Sequence, residues 1–163
     1  MKLRYFTLAC ILTSITIIIE AVAAASGEAL VFLTVLSALP IYLVSRTYPV
    51  YGMISYFCVC ILLLTLNPHQ MLFFALANGL LGFFLGLFEN KKISPVISNL
   101  MCGILLCGGV CLSLFLIGSS AVLLSNWYLI ALISLFCFIY TIVTHWLLAK
   151  AYRKFKVLAK INL

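Results

Sequence analysis

The amino-acid sequence predicts an all-α integral membrane protein, a bundle of six transmembrane helices with both termini in the cytoplasm. Of its 163 residues, 66% are hydrophobic and 8% are charged, whereas a soluble domain carries about 25% charged residues. One crossing of the hydrocarbon core needs roughly 20 residues, so six crossings with short loops use nearly the whole chain. The apolar runs are continuous rather than alternating, which disfavours membrane-spanning strands. We therefore expect a single transmembrane domain over residues 1–163.

The apolar runs are separated by short breaks rich in Gly, Pro, Asn and Ser, the residues that end helices. The predicted spans cover residues 5–25, 29–45, 50–66, 69–88, 95–117 and 127–149, and a basic tail covers residues 150–163. Because these breaks fall at intervals that suit the thickness of a bilayer, each run is interpreted as one crossing.

The ten basic residues predict how the bundle is oriented. When Lys2 and Arg4 are placed in the cytoplasm, all ten fall on the same side, as the positive-inside rule expects. The outer loops then carry Glu28 and no Lys or Arg, and the chain is predicted to be a multi-pass protein of the plasma membrane. The alternative is that residues 1–25 form a cleaved signal peptide, because Ala23-Ala24-Ala25 follows an apolar core. Cleavage would leave five spans and an external N-terminus.

Several kinds of chemistry are disfavoured by residues that the sequence lacks. It contains no Asp, no Gly-Lys dipeptide of a P-loop and no Gly-x-Ser-x-Gly motif. His69 and His145 are predicted on opposite faces of the membrane, and the Cys residues lie within apolar runs as packing residues. The net charge of +7 does not indicate nucleic-acid binding, because the basic residues only separate apolar runs. We expect no enzyme, no cofactor and no metal site.

Polar residues in the outer half of the predicted bundle are the candidates for ligand binding, because a polar group inside a membrane costs free energy. The candidate substrate-binding residues are Glu20, His69, Gln70, Asn78, Asn126 and Trp127. The outer surface carries acidic but no basic residues, so the expected ligand is a small neutral or cationic organic molecule. The alternative is that these groups only cap helix ends and that Glu20 snorkels to water.

Small residues at helical spacing are the candidates for contact with a partner subunit. Gly82-x-x-x-Gly86 permits close approach of two helices, and Ala9 and Thr13 lie one turn apart in the inner half of the first span. The alternative for the glycines is tight packing within the chain.

The sequence also resembles a known family over roughly residues 5–120. The matching stretches are Ala38-Leu39-Pro40-Ile41-Tyr42-Leu43, Tyr51-Gly52, Asn67-Pro68 and Asn78-Gly79-Leu80-Leu81-Gly82 with Gly86. They are similar to the substrate-binding S components of energy-coupling factor vitamin transporters, and to the related YybS-like bacterial membrane proteins.

This resemblance implies a substrate-capture subunit whose motor is supplied by a transmembrane coupling subunit and ATPases. In that family an Ala-x-x-x-Ala motif of the first helix contacts the coupling subunit, and here the matching place reads Ala9-x-x-x-Thr13. The competing hypothesis is a non-transport scaffold or assembly factor. A proton-coupled carrier is weaker, because Glu20 is the one acidic residue predicted well inside a span.

Overall fold

The structure is a computed structural model, and it describes residues 2–26, 33–116 and 127–161. Within these ranges the chain forms six helices and no strand, which confirms the predicted helical fold. The helices are α1 (Lys2–Ala25), α2 (Leu33–Thr47), α3 (Pro49–Leu66), α4 (Pro68–Asn90), α5 (Pro95–Leu116) and α6 (Trp127–Ile161). The middle of α4, Phe74–Asn78, is a π-helical segment.

The helix starts follow from local sequence. Pro49, Pro68 and Pro95 are the first residues of α3, α4 and α5, where the missing N–H of proline costs no hydrogen bond. The side chain of Asn67 caps α4 by accepting from the backbone N–H groups of His69 at 3.1 Å and Gln70 at 3.2 Å. At the other end of the chain, α6 continues to Ile161. The first part of the predicted basic tail is therefore a continuation of the last helix.

The lengths and surfaces of the helices are those of a multi-pass membrane protein. Among the described residues, α1, α3, α4, α5 and α6 each contain a stretch long and apolar enough to cross a bilayer. Large apolar side chains cover their outward faces, including Phe6 on α1, Phe57 on α3 and Phe115 on α5. A soluble monomer does not expose so extensive an apolar surface. The described part of α2 is shorter, with 15 residues.

Helix α2 lies at the centre of the bundle and packs against α1, α3 and α4. Its contact with α4 is close because α4 presents glycines. A Cβ atom on Gly82 would lie 2.6 Å from the carbonyl oxygen of Ala38, and one on Gly86 would lie 2.7 Å from that of Tyr42. Gly82 and Gly86 therefore serve packing within the chain, which was the alternative to a partner-facing role.

The small residues of α1 also pack inside the chain. Ala9 is buried in the main apolar core. The hydroxyl of Thr13 lies 2.7 Å from the carbonyl oxygen of Ala9 and 2.8 Å from Ser55 Oγ on α3. Ala9, Thr13, Gly82 and Gly86 thus all contact the chain's own helices, and their predicted contact with a partner subunit stays a prediction.

Side-chain contacts show that consecutive helices run in alternating directions. Tyr5, near the start of α1, has its ring centroid 4.3 Å from that of Tyr48, which lies between α2 and α3. At the opposite end of the bundle, Glu20 near the end of α1 contacts Gln70 in the first turn of α4. The bundle thus has a Glu20 end, and it has a Glu89 end where Arg46 and Glu89 meet.

Candidate functional site

A cavity of about 1050 Å³ lies at the Glu20 end, and α1, α2, α4, α5 and α6 all contribute to its wall. Its polar lining residues come from four of these helices: Glu20, Thr34, Gln70, Asn78 and Tyr140. The rest of the lining is almost entirely apolar. It consists of Ala23, Val35, Phe73, Phe74, Ala77, Leu106, Val110, Leu114, Leu132, Ile133, Leu135, Phe136, Cys137 and Ile139.

Glu20 is the least exposed of the polar residues that line this site. Its residue is 0% exposed, and it lies five residues, or about 7.5 Å along the helix, from the end of α1 at Ala25. Ser37 Oγ lies 2.5 Å from one carboxylate oxygen, and Gln70 Nε2 donates to the other at 2.6 Å. Snorkelling of Glu20 to water was the alternative explanation, and this burial contradicts it.

The hydrogen bonds of Glu20 come from the neutral side chains of Ser37 and Gln70. Among the described residues, the salt bridges join Glu89 to Arg46 and His145, and none reaches Glu20. A carboxylate accepts up to about four hydrogen bonds, so the two donors present do not exhaust its capacity. Glu20 is therefore a buried acidic residue in the wall of a largely apolar cavity, and it holds the side chain of Gln70 in place.

Asn78 joins three helices beside the cavity. Its Nδ2 donates to Thr34 Oγ1 on α2 at 3.2 Å, and its Oδ1 accepts from the hydroxyl of Tyr140 on α6 at 2.9 Å. These bonds fix the amide of Asn78 in one orientation and keep polar groups of α2, α4 and α6 together at the same end of the cavity.

The π-helical segment of α4 forms part of the cavity wall. Gly79 N–H donates to the carbonyl oxygen of Phe74, the wide i to i+5 bond that defines such a turn. The hydroxyl of Tyr56 on α3 donates to the carbonyl oxygen of Ala75 at 2.8 Å. Backbone groups inside a membrane need such partners, so α3 supports the irregular turn. Segments of this kind occur frequently at functional sites.

Of the six residues predicted to bind a substrate, the structure brings three together: Glu20, Gln70 and Asn78 line the same cavity. His69 is exposed near the Asn67 cap and does not line it. Asn126 lies outside the described residues. Trp127 begins α6, and its side chain lies outside the described part of the structure. The cavity therefore retains half of the predicted set.

Sequence reasoning missed Thr34 and Tyr140, which complete the polar end of the cavity. Tyr140 lies within the last predicted span, well away from both membrane interfaces where tyrosines gather. A tyrosine hydroxyl in the middle of a span needs a hydrogen-bond partner. The position of Tyr140 in the sequence could therefore have predicted a polar contact inside the bundle. Thr34 offered no comparable signal, because threonine in a helix can bond to its own backbone.

The sequence also gave no hint of a charged network at the Glu89 end. Glu89, in the last turn of α4, forms a salt bridge with Arg46 of α2 and a hydrogen bond with His145 of α6. His145 Nε2 lies 2.7 Å from Glu89 Oε1, and the hydroxyl of Tyr42 donates to Glu89 Oε2 at 2.6 Å. His145 Nδ1 contacts Asn99 of α5. Glu89 was predicted to lie in a loop, but it belongs to α4 and connects three helices.

Arg46 has a second contact in this network, because its guanidinium carbon lies 3.8 Å from the ring centroid of Tyr152 on α6. The two predicted histidine positions agree with this arrangement, with His145 at the Glu89 end and His69 at the opposite end. Among the described residues, no three His, Cys, Asp or Glu side chains are grouped so as to hold a metal ion.

Fold and site together define a helical multi-pass membrane protein with a largely apolar cavity that five polar residues line. No protein-family model, no curated protein and no solved structure matches the chain. The resemblance to S components therefore stays a prediction.

Proposed function

We propose that this protein captures a small neutral or cationic organic molecule in the cavity at the Glu20 end. The observation that carries the proposal is that polar groups from α1, α2, α4 and α6 line one cavity of about 1050 Å³. Ligand sites are typically mostly apolar clefts of about 300–1,000 Å³ with a few polar groups that fix orientation. The hydrogen bonds of Asn78 and Gln70 supply such fixed groups.

The charge of the site favours a neutral or cationic ligand over an anion. Glu20 is acidic and forms no salt bridge within the described residues. An anionic group beside it would place two like charges in an apolar setting without a counter-charge, which is costly. A cation would supply the missing counter-charge, and a neutral molecule would use the amides of Gln70 and Asn78.

The proposed setting is the plasma membrane, with six spans, cytoplasmic termini and the Glu20 end facing outward. The basic residues support this orientation, because Arg46, Lys91 and Lys150 then lie on the cytoplasmic side. We further propose that the protein is the substrate-capture subunit of an energy-coupling factor transporter, driven by separate ATPases and a transmembrane coupling subunit. The resemblance to S components supports this role. The coupling contact would use a surface other than Ala9 and Thr13, or would require α1 to move.

Ligand-induced stabilisation tests the capture function. The purified protein is heated with candidate vitamins and amines, because a ligand that prefers the native state raises the melting temperature. A ligand found in this way should lose most of its effect in Glu20→Gln and in Asn78→Ala. The matched control is Thr16→Val, which changes a fully buried hydroxyl of α1 that bonds only its own helix at 3.0 Å and does not line the cavity.

Three results would contradict the proposal. The first is a ligand whose effect is equal in wild type, Glu20→Gln and Asn78→Ala. The second is a tightly bound organic anion that contacts none of the polar lining residues. The third is stable co-purification with other membrane proteins and no ligand effect with any candidate, which would favour the scaffold hypothesis.

A further inference from the structure

We infer that the ligand of this cavity is an amphiphile, with an apolar chain and a hydrogen-bond-donating, preferably cationic head group, and that it reaches the cavity sideways from the bilayer. This inference rests on the proposed capture function and specifies its substrate class. It follows from three features of the cavity: the clustering of its polar groups within an apolar lining, the exposure of one wall, and the acidic residue of that cluster.

The polar groups of the cavity form one cluster within an apolar lining. Gln70 donates to Glu20, and Asn78 bonds both Thr34 and Tyr140. Ser37 joins these two groups, because its Oγ lies 2.5 Å from Glu20 Oε1 and 2.6 Å from the backbone carbonyl oxygen of Thr34. The remaining lining is almost entirely aliphatic and aromatic. A molecule that is polar all round would bury unpaired polar groups against this wall, which is costly. A molecule with one polar end and an apolar body matches both parts.

One wall of the cavity also faces the membrane. Leu132, Leu135, Phe136 and Ile139 of α6 line the cavity, and they are 67%, 60%, 68% and 53% exposed. Their spacing of three and four residues places them on one face of α6. An enclosed cavity would bury its lining, so these exposures mean that the cavity is open along this face. In a bilayer the solvent at this depth is hydrocarbon, so an apolar chain can pass through the opening without meeting water.

The head group is specified by the polar end. Glu20 is fully buried and covered by its partners, so it acts on a ligand through Gln70, which it holds in place, rather than by direct contact. Because Gln70 Nε2 is committed to Glu20, the amide oxygen of Gln70 remains as the acceptor for a donor on the ligand. An amine head supplies both donors and positive charge, whereas a carboxylate head would bring a second negative charge.

A matched set of probes tests the inference in nanodiscs containing the full-length protein. Dodecylamine, dodecanol and dodecanoate share one chain and differ in head group, and butylamine shares the amine without the long chain. Each competes, at equal mole fraction in the bilayer, against a dodecylamine that carries a photoreactive diazirine on its chain. We expect cross-links on residues 132–139, and we expect dodecylamine to displace the photoprobe about tenfold better than dodecanoate, the scale of a hydrogen bond to a charged group.

Three variants make the test specific. Glu20→Gln should remove most of the preference for dodecylamine over dodecanol. Leu132→Trp, which adds bulk to the open wall, should reduce cross-linking several-fold. Its control is Ile142→Trp, which adds the same bulk at a position on α6 that is also exposed but does not line the cavity. Melting temperatures of the variants without ligand show whether each is folded.

The outcomes separate this inference from the capture function. If butylamine or a soluble vitamin binds in a Glu20-dependent way and dodecylamine does not, the amphiphile is wrong and capture stands. If dodecylamine, dodecanol and dodecanoate displace the photoprobe equally well in wild type and in Glu20→Gln, bilayer hydrocarbon merely fills the space and both proposals fail. Cross-links spread along the whole outer surface of α6 would overturn the lateral opening.

Discussion

Replacing Glu89 with glutamine is expected to weaken the fold at the end of the bundle far from the cavity. The carboxylate accepts from Tyr42 and pairs with Arg46 and His145, so it connects α2, α4 and α6. Breaking a buried charge pair by removing one partner costs about 3–5 kcal/mol. The Glu89 side chain is 16% exposed, and a glutamine in its place would keep one acceptor oxygen. We therefore expect the free energy of unfolding to fall by about 2–3 kcal/mol.

Thermal unfolding in one detergent measures this loss. For chains of about 150–250 residues, 1 kcal/mol shifts the melting temperature by about 2–4 °C, so Glu89→Gln should melt about 4–12 °C lower. Unfolding can be followed by a thiol-reactive dye, because Cys102 and Cys137 are buried in the folded state. The exposed Cys10 and Cys58 are first replaced with serine so that they do not react before unfolding.

The control and a second variant make the result interpretable. Lys91→Gln removes a charge from an exposed residue two positions away and should change stability by no more than about 0.5 kcal/mol. His145→Gln combined with Glu89→Gln should cost less than the sum of the two single changes, because both remove the same contact. Glu89 does not connect the helices in this way if Glu89→Gln lowers the melting temperature no more than Lys91→Gln does. Additive losses of stability at positions 89 and 145 would contradict it equally.

Three further outcomes follow from the fold and the orientation. Gly82→Leu should prevent folding, because its Cβ would collide with a backbone carbonyl of α2. Gly108→Leu should be tolerated, because nothing lies within 4 Å of its Cβ position. The yields of monodisperse protein from the two variants test this difference. In a background without native cysteines, a cysteine at Lys91 should label only from the cytoplasm and one at Val122 only from outside, and external labelling at 91 would refute the orientation. Tyr140→Phe should lower stability by about 1 kcal/mol and weaken ligand binding, and an unchanged melting curve would show that its bond to α4 contributes nothing.

The helices were largely predictable because their ends depend on local chemistry. Pro49, Pro68 and Pro95 start helices, and Asn67 caps one, whatever the rest of the bundle does. The length of each apolar run is set by the bilayer. The predicted span 127–149 marks the apolar part of α6, and the helix itself continues through the basic segment to Ile161.

The partners of each polar side chain were much less predictable. In a soluble helix the apolar stripe shows which face is buried, but a membrane helix is apolar all round and gives no such marker. The sequence predicts how far each residue lies along its helix, and this is why Glu20, Gln70 and Asn78 were placed in the same half of the bundle. It does not predict how each helix is rotated about its axis. The contacts of Tyr140 with Asn78 and of Glu89 with His145 were therefore not predicted.

The wide turn at Phe74–Asn78 constrains how related sequences can differ in length. A π turn amounts to one extra residue inserted into an α-helix, and one residue corresponds to a rotation of about 100°. The part of α4 before the turn presents Gln70 to the cavity, and the part after it presents Gly82 and Gly86 to α2. The wide turn absorbs this extra residue, so deleting one residue between them would restore regular helix while both halves keep their faces. Proteins that share this fold should therefore tolerate a difference of one residue between Gln70 and Gly82, and the shorter ones should lack the wide turn.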